Sequence, residues 1–434
     1  MSTHPNHTAL SPAGSRTVNR DVSIDRAIHF AALHTGPAAP PPAAHMGAVA
    51  QALSIRYNNL VYEMKARGED VIVLSLGEAF FDIPLFGFGD LPMPDGYHYS
   101  HSRGIAGLRR KLRAYYGERY GVPVDADTEI LVTAGSKIAI HMSLMAILDP
   151  GDEVLVLEPA WVSYTEQVKL CHGVPVMVPH DCPVFELERH VTARTRAVIV
   201  NNPNNPSGKV YSRAELEHLH AMADRHGLFL LSDEAYSEFV PDGAFLSLGA
   251  LDPAKRHTLV CNSMSKNYGM SGWRLGYVIA RRQVIDEVLK INQHLVTCPP
   301  TILQHYLERH FDRVLDITRP QIAEVVRRRA ELAGYIDGLG LSCLEGDSTF
   351  YLFVSIAPSG VGSEAFCTRL LAEHGVSTVP GVGYGDSCDG FIRVSVGTES
   401  MERTKRGIAL VRQLIDTFAA EADAAEAEAA AVAA

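Results

Sequence analysis

The chain has 434 residues, 47% apolar and 21% charged, enough for a sizeable core in one large domain with a smaller companion. Its net charge of −11 argues against a general nucleic-acid binder, and no apolar run reaches the roughly 18 residues of a membrane-spanning helix. No apolar run follows a basic segment near the start, so no secretory signal is expected; seven cysteines without a CxxC pair read as reduced thiols in a cytoplasm.

Residues 1–45, rich in Ser, Thr, Asn, Ala and Pro and ending in PAAPPPAA, are expected to form a flexible extension, with a partner-binding arm as the alternative. A helix over 48–66, within a 46–69 segment, is expected to join the smaller unit. An alternation of strand and helix follows. The apolar strand ILVTAG (130–135) leads into a helix over 136–148, then come a strand at 152–159, a helix at 161–171 and a strand at 174–179. RAVIVNNP (196–203) precedes a helix that opens at Ser212, where Glu215 completes a capping box. LFLLSDEAY (228–236), HTLVCNSMSK (257–266) and LGYVIA (275–280) add three more strands. Short apolar strands separated by helices predict a mostly parallel sheet covered on both faces, an α/β domain over 70–305.

Past Pro320 the pattern changes to a basic helix over 321–337, the strand GDSTFYLFVSI, a helix at 363–374, then GVSTVPG and FIRVSVG. A last helix sets Ile408, Val411, Leu414, Ile415 and Phe418 on one face at helical spacing. These make a smaller α+β domain over 306–418. The Ala- and acid-rich stretch 419–434 is expected to fray from that helix, since Ala and Glu favour a helix yet bury little.

In an open parallel sheet the site lies beyond the carboxyl ends of the strands. Polar residues gather at those ends: Gly135-Ser136-Lys137, Trp161, Asn205, Asp233 with Tyr236, and Ser263-Ser265-Lys266. Lys266 follows an apolar strand among small hydroxyls, and a desolvated amine of lowered pKa forms Schiff bases. Ser263, Ser265 and Arg274 are hydroxyl and guanidinium donors of the kind that hold phosphate. Ser136 opens a helix, where backbone N–H groups and the dipole favour an anion. Lys137 in the same first turn is disfavoured by that dipole, so an anionic group is expected close by.

With GSK, WVSY, NNPNNPSG, SDEAY, SMSKNYGMSGWRLGY and FIRVSVG in this order, the chain resembles the class I/II aminotransferases that depend on pyridoxal 5′-phosphate. The resemblance covers roughly 50–418 and is nearest to the aspartate aminotransferase subgroup found mainly in bacteria. It implies a seven-stranded, mostly parallel sheet sandwiched by helices, plus the smaller α+β domain. It also implies a role for each residue. Lys266 carries the cofactor, Asp233 pairs with its ring nitrogen, Asn205 and Tyr236 reach its phenolic oxygen, and Trp161 stacks on its face. Gly135, Ser136, Ser263, Ser265 and Arg274 surround its phosphate, joined by Tyr99 from a neighbouring subunit, which implies a homodimer with shared sites; Lys137 meets either that phosphate or the distal carboxylate of an acidic substrate, which the resemblance favours. Arg393 grips the substrate carboxylate, with Gly77, Trp161 and Asn205 beside it. Ala79-Phe80 replaces the family's Pro-Asp, the stretch between Pro84 and Tyr97 is short, and GDSTFY replaces a Gly-Ala-Phe-Tyr pattern.

The expected activity is transfer of an α-amino group from an L-amino acid to a 2-oxo acid, with an acidic amino acid as one partner. A second reading is another reaction on the same cofactor: cyclisation, elimination or oxidation. A transcription regulator with such a domain would need a basic winged-helix segment, for which residues 1–45 are too short and Pro-rich. No metal site is expected, because His305 and His310 lack helical ligand spacing and no HExxH occurs.

Overall fold

A computed structural model describes residues 40–241 and 245–433. The extension expected over 1–45 lies mostly outside the described residues; 40–43 have no regular structure, and Ala44–Ala48 make a 3₁₀ turn. Residues 49–434 form one compact unit. Helix α1 (Leu53–Ala66) starts later than the expected residue 48, and leads into the short strand β1 (Ile72–Val73) and helix α2 (Ala106–Tyr120).

The main sheet has seven strands: β2 (Ile130–Thr133), β3 (Glu153–Leu157), β4 (Val174–Val178), β5 (Thr195–Asn201), β6 (Phe229–Asp233), β7 (Thr258–Ser263) and β8 (Gly276–Ile279). Their order is β2-β8-β7-β6-β5-β3-β4. Strands β3 to β7 pair in parallel, and β8 runs antiparallel to both its neighbours. Every residue of β2, β7 and β8 is buried, which is why β2 and β8 read as apolar runs and β7 has an apolar centre, Leu259–Val260–Cys261. Helices α3 (Ser136–Ile147), α4 (Tyr164–Leu170), α5 (Arg213–His226) and α6 (Leu248–Leu251) lie between them, and α7 (Arg282–Leu295) follows β8. Ala139, Ile140 and Leu144 of α3 cover one face, with Leu131, Val154 and Leu231 beneath. Leu216, Leu219 and Met222 of α5 cover the other, over Val198 and Leu230. The Ser212–Glu215 capping box is formed, and Gly227 ends α5 at φ 66°.

Helix α8 runs from Thr301 to Gly338, 38 residues, and does not begin after Pro320. The domain boundary expected at 305/306 therefore falls inside a continuous helix. Pro320 and Asp316 are both exposed, so the Asp316 carbonyl that loses its N–H partner faces water. Tyr306, Leu307, Phe311 and Val314 pack beside the main sheet, while Ile322, Val325, Leu332 and Ile336 enter a second core. That second core lies around β9 (Tyr351–Ser355), α9 (Ser363–His374), β10 (Val376–Ser377), β11 (Val379–Pro380), β12 (Phe391–Ser395) and α10 (Met401–Ala433). β11, β12 and β9 form an antiparallel sheet, and β1 pairs in parallel with β10. Ile408, Val411, Leu414 and Ile415 of α10 are buried there. The helix continues through the Ala-rich stretch, where Glu421 pairs with Arg369 at 2.7 Å. Among the described residues no helix is long and apolar enough to cross a membrane.

Candidate active site

Strands β5, β6 and β7 end on Asn201, Asp233 and Ser263, and α3 begins at Ser136 just past β2. A cavity of about 300 Å³ opens at these strand ends. Of the residues singled out above, Gly77, Ser136, Lys137, Trp161, Asn205, Asp233, Tyr236, Ser263, Ser265, Lys266, Arg274 and Arg393 line it. Two do not. Gly135 stands behind the wall at φ 95°, where a Cβ would come within 2.6 Å of the Arg274 guanidinium; its missing side chain makes room for that arginine. Tyr99 is 84% exposed and lies outside the cavity lining of its own chain.

Asp233 is buried at the end of β6. Its Oδ2 accepts a 2.6 Å hydrogen bond from the Tyr164 hydroxyl, and its Oδ1 accepts from the Ala235 N–H at 3.1 Å. Burial pushes its carboxyl above the ordinary value, and these two donors with Lys266 pull it back. Tyr164 also meets Trp161 edge to face, with ring centroids 5.3 Å apart. Lys266 is partly exposed to the cavity, and its Nζ donates to the Gly77 carbonyl. Burial pushes its amine down to about 8; nearby Glu78 opposes the shift, and Arg393 and Arg274 add to it.

Four cations converge here. Arg274, itself in the left-handed region at φ 53°, donates to the Ser271 carbonyl at 2.8 Å and to Ser265 Oγ at 3.4 Å. Lys137 carries its Nζ 5.1 Å over the Trp161 ring, and burial followed by Arg274 lowers its pKa. Arg393 is 3% exposed, donating to the Ser75 carbonyl at 2.7 Å and to Asn205 Oδ1 at 3.3 Å, with a buried Nε that has no partner. Among the described residues, no carboxylate forms an ion pair with Lys137, Lys266, Arg274 or Arg393, and the charged group acting on Lys137 is Arg274. Glu78, the other acid lining the cavity beside Asp233, accepts from the Ser271 hydroxyl.

Residues 93–408 match the family model described as aminotransferase class I and II. The chain belongs to that family. The aminotransferase is 34% identical to the aromatic-amino-acid aminotransferase 2 of Thermococcus litoralis, over 78% of this chain and 92% of the relative. It is 33% identical to the arginine–pyruvate transaminase of Pseudomonas aeruginosa, over 79% and 90%. Among solved structures it is similar to the aspartate aminotransferase of Thermus thermophilus with maleate: TM-score 0.80, 30% identity, covering 87% of this chain and 100% of that one. Members of this family use pyridoxal 5′-phosphate, and the enzyme is a pyridoxal-phosphate-dependent aminotransferase acting on amino acids and 2-oxo acids.

The cavity fits that cofactor. It offers a buried carboxylate, an amine of lowered pKa, and a helix N-terminus with no acid in its first turn beside the Arg274 guanidinium. Sequence reasoning missed Ser54, Asn58, Glu78, Tyr164, Asn201, Ser271 and Tyr351, all of which line the same cavity. Tyr164 and Tyr351 stand inside WVSY and GDSTFY, two segments already singled out. Ser54 and Asn58 are one helical turn apart on α1, a spacing that marks one face.

Proposed function

We propose that the aminotransferase takes an acidic amino acid, aspartate or glutamate, as one of its partners, with the cavity residues in the following roles. Pyridoxal phosphate supplies the electron sink that lets a proton leave the substrate α-carbon. Lys266 Nζ takes that proton and returns it; an amine with pKa near 8 is partly neutral at physiological pH and serves as a base. Asp233, held by Tyr164 and Ala235, keeps a proton on the cofactor's ring nitrogen. Tyr236 and Asn205 donate to the cofactor's phenolic oxygen, and Trp161 stacks on the ring. Ser136, Ser263, Ser265 and Arg274 hold the phosphate at the N-terminus of α3, in the space that Gly135 leaves open, with Lys137 beside them. Arg393 takes the substrate α-carboxylate in a planar fork, with the Gly77 backbone alongside.

The observation that carries the substrate class is charge. Four cations and two acids face one cavity, and among the described residues no carboxylate forms an ion pair with any of the four. The cofactor phosphate answers Arg274, and an α-carboxylate answers Arg393. With Lys266 taken up by the cofactor, Lys137 is then the cation left for a distal carboxylate. We further propose a cytoplasmic homodimer in which Tyr99, exposed in its own chain, reaches the phosphate of its neighbour. All seven cysteines are unbridged, in keeping with a reducing compartment. In this reading residues 70–305 carry the cofactor and 306–418 the carboxylate-binding arginine, with 46–69 lending Ser54 and Asn58, and 1–45 and 419–434 outside the chemistry. Lys137→Ala, assayed in the half-reaction, tests the substrate class: selective loss on glutamate against a neutral amino acid is expected. Equal loss on both points to the phosphate instead, and no loss leaves Lys137 without a role.

A further inference from the structure

Tyr351 has no role in the account so far, yet it is 1% exposed and meets three groups of the site. Its ring lies beneath the Arg393 guanidinium, 4.4 Å from ring centroid to guanidinium carbon. Its hydroxyl is 3.1 Å from the hydroxyl of Tyr236. The same hydroxyl stands 3.1 Å from the place a Cβ on Gly77 would occupy, beside the carbonyl that accepts from Lys266. The main chain of Tyr351 is held from both sides: Arg329 Nε donates to its carbonyl at 2.7 Å, and its own N–H donates to Thr349 Oγ1 at 3.2 Å. Thr349 is buried at φ 64°, a left-handed conformation that a β-branched residue rarely takes. Its N–H is tied to the Phe239 carbonyl at 2.8 Å, three residues on from Tyr236. Backbone strain of this kind persists only where the surroundings over-determine it, and it clusters at functional sites.

We propose that Tyr351 is a positioning residue: it donates to the Tyr236 hydroxyl, turning that group's proton into the cofactor cavity, and braces Arg393 from below. The proposal rests on the reading above that Tyr236 donates to the cofactor's phenolic oxygen. The two phenols carry one proton each, and among the described residues each hydroxyl has the other as its hydrogen-bond partner. Once a cofactor oxygen accepts from Tyr236, the arrangement that satisfies both protons has Tyr351 as donor to Tyr236. A donor that itself accepts a hydrogen bond is strengthened, and donation to an ionised oxygen favours the ionised form. Tyr351 thereby links the carboxylate grip to the electronics of the cofactor.

The test is a pH titration of the visible absorption band of the bound cofactor in the substrate-free holoenzyme. Four proteins are compared: parent, Tyr236→Phe, Tyr351→Phe and the double variant. Phenylalanine keeps the ring beneath Arg393, so a merely structural role leaves the midpoint where it was. Tyr236→Phe is expected to raise the midpoint, and Tyr351→Phe to raise it by a smaller amount, roughly half a unit. The double variant is expected to match Tyr236→Phe alone, because the second effect acts through the first. A Tyr351→Phe midpoint equal to the parent's, or a shift that persists undiminished in the Tyr236→Phe background, overturns the proposal. An unmoved midpoint in Tyr236→Phe instead removes the assignment of Tyr236 on which the proposal stands.

Discussion

Tyr164→Phe removes one oxygen atom and keeps the ring that meets Trp161 edge to face at 5.3 Å. What is lost is the 2.6 Å donor to Asp233 Oδ2, leaving the Ala235 N–H at 3.1 Å as the other donor to that carboxyl. A hydrogen bond to an ionised group is worth about 1.5–3 kcal/mol, against about 0.5–1.5 kcal/mol to a neutral one. The sign of the pH dependence follows from burial, which already raises the Asp233 carboxyl above its unfolded value. A raised carboxyl binds its proton in the folded state over a pH range where the unfolded chain has released it, so folding stability falls as pH rises through that range. Removing Tyr164's hydroxyl raises the carboxyl further and extends the falling range upward. Urea unfolding of the cofactor-free protein should therefore give a penalty of about 1.5–3 kcal/mol at neutral pH, shrinking towards about 1 kcal/mol as pH falls through the range where Asp233 takes up its proton. In the loaded enzyme, kcat/KM should drop roughly tenfold to a hundredfold, the same free energy read as a rate. A penalty at neutral pH no larger than the roughly 0.5–1.5 kcal/mol of a neutral hydrogen bond would refute the claim that this hydroxyl holds an ionised carboxylate.

Lys266→Ala is expected to fold and to lose covalent attachment of the cofactor; borohydride reduction with peptide mapping should place the label on Lys266 in the parent, and a label on any other lysine would end the assignment. Arg393→Lys keeps the charge but loses the fork, so kcat/KM should drop by about tenfold or more for every amino acid alike, and unchanged values would sink the role. Because the Lys266 amine is pushed down to about 8, the rate at which cofactor-free protein takes up pyridoxal phosphate should climb with pH up to that value and level off above it. A flat rate across that range would contradict the lowered pKa.

The main sheet was legible because its central strands are covered on both faces, and β2 and β8 are written as apolar runs while β7 keeps an apolar centre. Lys266, Asp233 and Ser136 were legible for a related reason: a polar side chain at the end of such a run has few structural reasons to be there. Tyr164 and Tyr351 escaped because a tyrosine beside apolar residues looks like core, and each is core by its ring and site by its hydroxyl. Arg393 alternates with apolar neighbours along β12, and by pattern alone it is a surface-facing residue; it is 3% exposed because the Tyr351 and Tyr384 rings lie against its guanidinium and the Ser75 carbonyl and Asn205 Oδ1 accept from it. Gly135 reads in the sequence as part of a phosphate site; in the fold its missing side chain also admits the Arg274 guanidinium. No local pattern encodes that.

The first half of α8 was hidden by Pro320, and the reason it is helical also explains how the two sides of the cavity keep their spacing. Thr318 Oγ1 donates to the Asn267 carbonyl at 2.9 Å, one residue from Lys266. Arg329 donates to the Tyr351 carbonyl at 2.7 Å and to the Ser207 carbonyl at 3.1 Å, in the loop that carries Asn205. Positions 318 and 329 are three helical turns apart and so face the same side, roughly 16 Å along the axis. One helix therefore holds the lysine loop at one point and the carboxylate side at another. Breaking it at the proline would uncouple the amine that moves the proton from the arginine that fixes the α-carbon. The exposed position of Pro320 lets the helix pass through with a single backbone hydrogen bond missing. What punctuates the sequence as a boundary is, in the fold, the solvent-facing midpoint of the strut between the two halves of the site.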